Sequence, residues 1–115
     1  MKKTSASPDS WNREYDRLRK SLARIGYLSQ GSVLDRSSLR PPRSGYQWTR
    51  KVAGKTVTVA LSPQQFPALS RAVENQRRLR STLKKMEALS RRILFANLPH
   101  TQRRKRLSRK VLGLI

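Results

Sequence analysis

The stretch "GYQWTRKVAGKTVTVALSPQQ", residues 45–65, alternates apolar and polar side chains on both sides of a central Ala53-Gly54 pair. A two-residue turn at this pair places residue 52 opposite 55, 50 opposite 57, 48 opposite 59 and 46 opposite 61. The stretch therefore predicts a β-hairpin over 46–61. Because an isolated two-stranded ribbon is marginal in water, we expect helices to cover its apolar face. That face carries Tyr46, Trp48, Val52, Val57, Val59 and Leu61.

Arg50 interrupts the apolar face of this hairpin, two residues from Trp48. Its guanidinium can stack on the indole, or its aliphatic stem can reach the edge of the sheet. We expect one of these two arrangements in preference to a contact with a nucleic-acid base.

The end of the quoted stretch, "LSPQQ", predicts the start of a helix. Ser62 is an N-cap residue, Pro63 suits the first helical position, and Gln65 completes a Ser-x-x-Gln capping box. Helical spacing then continues over 63–96, but the apolar stripe slips by about 120° between Val73 and Leu79. Either the helix kinks near 74–76 or its halves have different neighbours. We favour one continuous helix, with its first half against the hairpin and the first helix and its second half partly projecting.

The rest of the chain completes a single α+β domain over 9–97. Apolar residues at helical spacing predict a first helix over 9–25, which Gly26 ends. A short strand over 27–34 and a mobile loop over 35–45 precede the hairpin. The arginines of that loop, at 36, 40 and 43, lie either in solvent or against a nucleic-acid backbone. We expect residues 1–8 and the basic tail 98–115 to be disordered.

The charge of the chain indicates a polyanionic partner. Lysine and arginine number 27 against 6 acidic residues, which gives a net charge of +21 over 115 residues. Such an excess exceeds what solubility needs. Arginine is twice as frequent as lysine, and the guanidinium group binds phosphate with two parallel hydrogen bonds and stacks on bases. Nucleic acid is therefore the expected ligand.

The candidate contacts to nucleic acid fall into three groups. Basic doublets recur every seven residues along the long helix and share one side of it. A second group lies in the tail, and two lysines lie on the hairpin if its polar face takes part. The predicted contacts are Arg77, Arg78, Arg80, Lys84, Lys85, Arg91 and Arg92 on the helix, Arg103, Arg104, Lys105 and Arg106 in the tail, and Lys51 and Lys55 on the hairpin.

The residue inventory predicts a protein that is not an enzyme and holds no metal or cofactor. The chain has no cysteine and one histidine, His100. Four of its acids, Glu14, Asp16, Glu74 and Glu87, have basic neighbours at helical spacing and are surface ion-pair candidates. Their expected partners are Arg17, Lys20, Arg78 and Arg91, in that order. The "AGKT" at 53–56 lacks the upstream glycine of a phosphate-binding loop. No segment approaches the ~18 apolar residues of a membrane span, so we expect no membrane partner and a cytoplasmic location.

The hairpin and the helix after it resemble an uncharacterised family of short bacterial and archaeal proteins, a domain of unknown function often found beside transposase genes. The resemblance covers about 11–93 and depends mainly on "WTRKV" at 48–52, "GKTV" at 54–57 and "LSP" at 61–63. Many members have a cysteine-containing segment before the aromatic strand, where this chain has "LDRSSLRPPRSG", so no metal role carries over. The resemblance implies a helix, hairpin and long-helix unit and a setting beside mobile DNA.

Two functional hypotheses follow. The first is non-enzymatic binding of DNA or RNA through phosphate contacts, as an accessory to a transposase or another mobile-element protein. The second is a protein-interaction module whose long helix pairs with itself, as a coiled coil, or with an acidic partner. The contacts of that second surface are Leu79, Leu83, Met86 and Ile93.

Overall fold

The computed structural model describes residues 8–99 and 107–114. They form an N-terminal helix, a three-stranded antiparallel sheet and a long C-terminal helix, so the predicted α+β class is confirmed. Two short 3₁₀ turns lie at Leu22–Arg24 and Arg36–Ser38. The main elements are α1 (Pro8–Ser21), β1 (Ser32–Asp35), β2 (Tyr46–Val52), β3 (Lys55–Leu61) and α2 (Gln65–Asn97).

The predicted hairpin is confirmed with its register. Tyr46 pairs with Leu61, Trp48 with Val59 and Arg50 with Val57, while β1 adds to the other edge of β2. Ala53 has φ 50° and Gly54 has φ 81°. Positive φ at both central residues defines the turn whose twist suits a two-residue hairpin.

The capping box at the start of α2 is also confirmed. The Ser62 hydroxyl accepts a hydrogen bond from the Gln65 backbone N–H at 3.1 Å, and the Gln65 side chain accepts one from the Ser62 N–H at 2.9 Å. The helix then continues without interruption through Pro67 and through 74–76 to Asn97. The predicted range of 63–96 is thus observed as Gln65–Asn97.

The described residues divide into two compact units. The sheet unit is Ile25–Leu79, and the helical unit comprises the described residues of Met1–Arg24 and Arg80–Ile115. The boundary between the two units falls within α2, and the single domain over 9–97 stays a prediction. The boundary lies there because the apolar stripe of α2 changes phase between Val73 and Leu79, so that each part of the helix has its own partners.

The helical unit has a core of large side chains. Leu18 of α1 packs with Met86 and Leu89 of α2, and these three are buried. Trp11, Tyr15 and Leu22 pack around them. The expectation that the first helix lies on the first half of the long helix is therefore wrong, because α1 packs on Met86 and Leu89 of the second half. The expectation that this half partly projects agrees with the exposure of Leu83 and Leu94.

The sheet unit has a smaller core. Its buried residues are Ala72 and Val73 of α2, and the ring of Tyr46 stacks on that of Phe66 with centroids 4.3 Å apart. Val52 remains 43% exposed and Val59 39% exposed. The expectation that helices cover the whole apolar face is thus wrong, since Val52 lies at the turn and Val59 on the edge strand.

Residues 27–31 were predicted as part of a strand over 27–34, but β1 begins only at Ser32. Hydrogen bonds to α2 hold the segment instead. The Ser29 N–H donates to the Ala72 carbonyl at 3.1 Å, and the Asn75 side chain donates to the Tyr27 carbonyl at 3.0 Å. Gly31, with φ +105°, then turns the chain into β1.

The first helix and the loop after β1 are both shorter than predicted. The predicted helix 9–25 ends as an α-helix at Ser21, whose hydroxyl donates to the Leu18 carbonyl at 2.6 Å. Asp35, predicted as loop, ends β1 and accepts a hydrogen bond from the Ser37 N–H at 3.0 Å. The Arg36 N–H donates to the Gly45 carbonyl at 2.9 Å. The 36–45 loop is therefore closed by backbone hydrogen bonds rather than open.

The described part of the tail, 107–114, forms a capped helical turn. The Ser108 hydroxyl accepts from the Val111 N–H at 3.1 Å. At the other end Gly113, with φ 73°, and Leu114 donate backbone hydrogen bonds to Lys110 and Arg109. This pattern is a Schellman cap. The expected disorder of the tail is therefore wrong for these residues, whereas 1–7, 100–106 and 115 lie outside the described residues.

Candidate nucleic-acid interface

Two acidic residues of α1, Glu14 and Asp16, pair with neighbouring cations. Asp16 lies 3.0 Å from the Lys20 ammonium and also accepts from Arg19, and Glu14 pairs with Arg17. The hydrogen bonds to Asp16 hold its pKa below its ordinary value, and the bond from Lys20 has the largest effect. The pKa of Arg17 is raised by its hydrogen bond to Glu14. The predicted Asp16–Lys20 pair is thus confirmed.

Within the helical unit, α2 presents uncompensated positive charge. Arg80, Lys84 and Lys85 are exposed, and none of them has an ion-pair partner among the described residues. The acidic residue of this part of the helix is Glu87. Three exposed cations that follow each other within about two helical turns form a surface that a phosphate chain can approach.

Arg91 and Arg92, predicted to continue this surface, are instead half-buried against the C-terminal turn. The Arg91 Nε donates to the Gly113 carbonyl, and the Arg92 Nη2 donates to the Leu114 carbonyl at 3.2 Å. The Arg92 Nε is buried and has no hydrogen-bond partner within the described part of the chain. Both arginines therefore donate hydrogen bonds to backbone carbonyl groups of the C-terminal turn. Arg91 does not form the predicted ion pair with Glu87.

The sheet unit contributes a second set of exposed cations. Arg77 and Arg78 are exposed on α2, and the Arg78 Nε lies 3.9 Å from the Glu74 carboxylate. Lys51 and Lys55 are exposed on either side of the hairpin turn. Their ammonium groups lack ion-pair partners among residues 8–99 and 107–114. All four remain candidate phosphate contacts.

Arg50 behaves as predicted for a structural residue. Its guanidinium carbon lies 4.4 Å from the centroid of the Trp48 ring. The indole Nε1 donates to the Gln30 carbonyl at 2.9 Å, which fixes the ring under the cation. Arg36 is also engaged, through its Nε to the Gln47 side chain at 3.2 Å.

The predicted contacts in the tail, Arg103, Arg104, Lys105 and Arg106, lie outside the described residues.

The four apolar residues of α2 that were predicted to bind a partner helix differ in their exposure. Met86 is 8% exposed in the core, Leu79 and Ile93 are half-buried, and Leu83 is 42% exposed. Of these four residues Met86 packs on Leu18 of α1, and the pairing with a partner helix stays a prediction.

The sequence analysis did not single out Tyr27 as a candidate site residue. It follows the Gly26 that was predicted to end the first helix, and it begins the predicted strand over 27–34. In the structure its side chain is 91% exposed, the largest exposure among the large apolar side chains of the described residues. The signal available in the sequence was its place directly after a helix-ending glycine, where chains turn at the surface.

An open groove of about 500 Å³ lies in the sheet unit between β1 and the start of α2. Its apolar lining includes Val33, Phe66 and Val73. Three charged residues, Arg71, Glu74 and Arg77, also line it.

Among the residues that the structure describes, no three His, Cys, Asp or Glu side chains cluster as metal ligands. The same residues include no helix with the length and apolar character needed to cross a bilayer.

This arrangement defines a small α+β protein with exposed cations in both units and with Glu14 and Asp16 of α1 in local ion pairs. No protein-family model, curated protein or solved structure matches the chain. The resemblance to the transposon-associated family therefore stays a prediction.

Proposed function

We propose that this protein binds nucleic acid without catalysing a reaction, and that phosphate contacts supply most of the affinity. The observation that carries the proposal is the uncompensated charge of the surface. Among the exposed residues are Arg80, Lys84 and Lys85 in the helical unit and Lys51 and Lys55 in the sheet unit, none in an ion pair within 8–99 or 107–114. A chain of net charge +21 repels itself unless a polyanion lies against it.

The proposed contacts act by releasing counterions from the phosphate chain. Each phosphate that is neutralised contributes a slope of about −0.7 to −0.9 to the dependence of log affinity on log salt concentration. Several contacts lower the affinity about tenfold or more when salt rises from about 50 to about 200 mM. An affinity that does not change with salt would contradict the proposal.

The test compares matched lysine variants by fluorescence anisotropy with labelled DNA and RNA. Lys84→Gln and Lys85→Gln together should reduce the salt slope by about two, since each removes one phosphate contact. Lys51→Gln and Lys55→Gln test the hairpin in the same way. Lys20→Gln is the control, because Lys20 already pairs with Asp16 at 3.0 Å. A slope that falls as much in the control as in the Lys84 and Lys85 variant counts against the assignment of these contacts.

The protein-interaction alternative is distinguished by one substitution. Leu83 is the exposed member of its apolar stripe, whereas Met86 packs on α1. Leu83→Asp should leave both nucleic-acid affinity and the sedimentation coefficient unchanged. Loss of a dimer on Leu83→Asp, with nucleic-acid binding absent in the parent protein, would favour the alternative. An accessory role beside a transposase and a cytoplasmic location stay predictions.

A further inference from the structure

Tyr27 is the most exposed large hydrophobic residue of the sheet unit, with 91% of its surface in solvent. Its neighbour Leu28 is 46% exposed. A ring in this position adds almost nothing to the core, because the hydrophobic gain scales with the apolar area removed from water. The fold does not require an aromatic residue here.

The backbone that carries this ring is nevertheless held in place. The Asn75 side chain donates to the Tyr27 carbonyl at 3.0 Å, and the Ser29 N–H donates to the Ala72 carbonyl at 3.1 Å. Gly26, on the other side, lies so close to α2 that a Cβ there would be 3.3 Å from the Asn75 side-chain nitrogen. Two hydrogen bonds and one close approach, at residues 26, 27 and 29, therefore fix the backbone on both sides of the exposed Tyr27 ring.

Positive charge lies on the helix face to which this segment is attached. Residues three and four apart on a helix are neighbours, with Cβ atoms about 5–6 Å from each other. Arg71 and Arg78 stand at these spacings from Asn75, and both are exposed. The segment that carries Tyr27 is therefore attached to a helix face that has exposed guanidinium groups, and such groups attract the phosphates of a nucleotide.

We propose that Tyr27 is a stacking platform for an unpaired base, so that the ligand of the proposed nucleic-acid site is single-stranded. This inference rests on the proposed function and narrows its ligand. Bases inside a duplex already stack on each other and present no free face, whereas every unpaired base has one. The other aromatic rings of the sheet are occupied, since Arg50 lies over Trp48 and Phe66 stacks on Tyr46.

The test uses the full chain with two substitutions at one position, Tyr27→Leu and Tyr27→Phe. The probes are an oligothymidylate of about 20 nucleotides, a duplex of the same length, and a strand of that length in which abasic sites replace the bases. Stacking of one base on an aromatic ring is worth about tenfold in affinity. Because the side chain is almost fully exposed, both variants should keep the thermal midpoint of the parent.

We expect Tyr27→Leu to bind the oligothymidylate about tenfold more weakly and Tyr27→Phe to bind it like the parent. Neither variant should differ from the parent on the duplex or on the abasic strand. Equal affinity of Tyr27→Leu and the parent for oligothymidylate would overturn the inference, as would an equal loss on the abasic strand. An equal loss in Tyr27→Phe would assign the contact to the hydroxyl and overturn the stacking role. These outcomes leave phosphate binding intact, whereas a parent that binds none of the probes and no RNA strand of the same length removes the proposed function itself.

Discussion

The two units of this chain are stabilised in different ways. The helical unit buries large side chains, Leu18, Met86 and Leu89, whereas the buried residues of the sheet unit are Ala72 and Val73. The sheet unit depends more on hydrogen bonds, with a capped helix start and a paired hairpin. Substitution of core side chains should therefore lower the stability of the helical unit most, and substitution of turn and cap residues that of the sheet unit.

The largest effect is expected from a core truncation in the helical unit. Leu18→Ala should lower the free energy of unfolding by about 3 kcal/mol, since it removes apolar contacts and leaves a cavity. Leu83→Ala, the same substitution at a position that is 42% exposed, is the control and should cost about 0.5 kcal/mol or less. Urea unfolding measures both, and equal costs would contradict the assigned core.

The next effect tests backbone packing in the sheet unit. Gly31→Ala should cost about 2 kcal/mol or more, because φ is +105° and the new Cβ would lie 2.5 Å from the Thr49 carbonyl oxygen. Gly45→Ala is the matched control, with φ +96° and no backbone atom against its Cβ. Amide exchange in β1 and β2 reports the difference between them. If both variants lose the same protection, close approach at Gly31 is not the cause.

The capping box tests the start of α2. Ser62→Ala should cost about 1 kcal/mol, since it removes the acceptor of the Gln65 N–H. Ser81→Ala, at an exposed position inside α2, should be neutral or slightly stabilising because alanine is the better helix former. Amide exchange over the first turn of α2 should rise in the first variant alone. Unchanged exchange there would show that another group caps the helix.

The hairpin turn offers a gain in stability. Ala53 has φ 50°, and Ala53→Asn would create the Asn-Gly pair that such turns prefer, worth about 0.5–1 kcal/mol. Ala53→Val should lower the free energy of unfolding, because a β-branched side chain is strained at positive φ. Thermal unfolding measures both, and a gain from valine would contradict the turn geometry.

The smallest effect concerns the loss of stability at acidic pH. The pKa of Asp35 is lowered chiefly by the hydrogen bond from the Ser37 backbone N–H, and that of Asp16 chiefly by Lys20. Each carboxylate therefore adds stability above its unfolded pKa of about 3.9, and that stability is lost as pH falls through the lower folded value. Asp35→Asn should weaken the loss of stability between pH 5 and 2 in the sheet unit, measured by urea unfolding at about four pH values in that window. An unchanged acid profile would show that the cap does not favour the ionised form.

Local signals in the sequence were sufficient for the hairpin and the helix start. Alternation around Ala53-Gly54 determines the pairing register, and Ser62 with Gln65 determines where the helix begins, because both depend on residues close in sequence. The partner of each apolar stripe was not predictable, since Leu79 and Met86 would suit α1 and a second copy of the chain equally well.

Part of the candidate site was predictable for the same reason. Exposure of Lys84 and Lys85 follows from helical spacing, and stacking of Arg50 follows from its position beside Trp48. The contact of Arg91 with the Gly113 carbonyl joins residues 22 apart and depends on how the tail folds back. The exposure of Tyr27 depends on hydrogen bonds to α2, including one to Asn75, 48 residues away.

The surroundings of Trp48 give the sheet unit an optical signal of its own. The indole is held by its bond to Gln30 and lies 4.4 Å under a guanidinium, so its transition dipoles have a fixed direction in an asymmetric field. Such a ring should produce strong near-ultraviolet circular dichroism, which disappears when β2 and β3 separate. The other tryptophan, Trp11, packs on the core of the helical unit and has a different environment. Spectra of Trp11→Phe and Trp48→Phe would therefore separate the unfolding of the two units without a label.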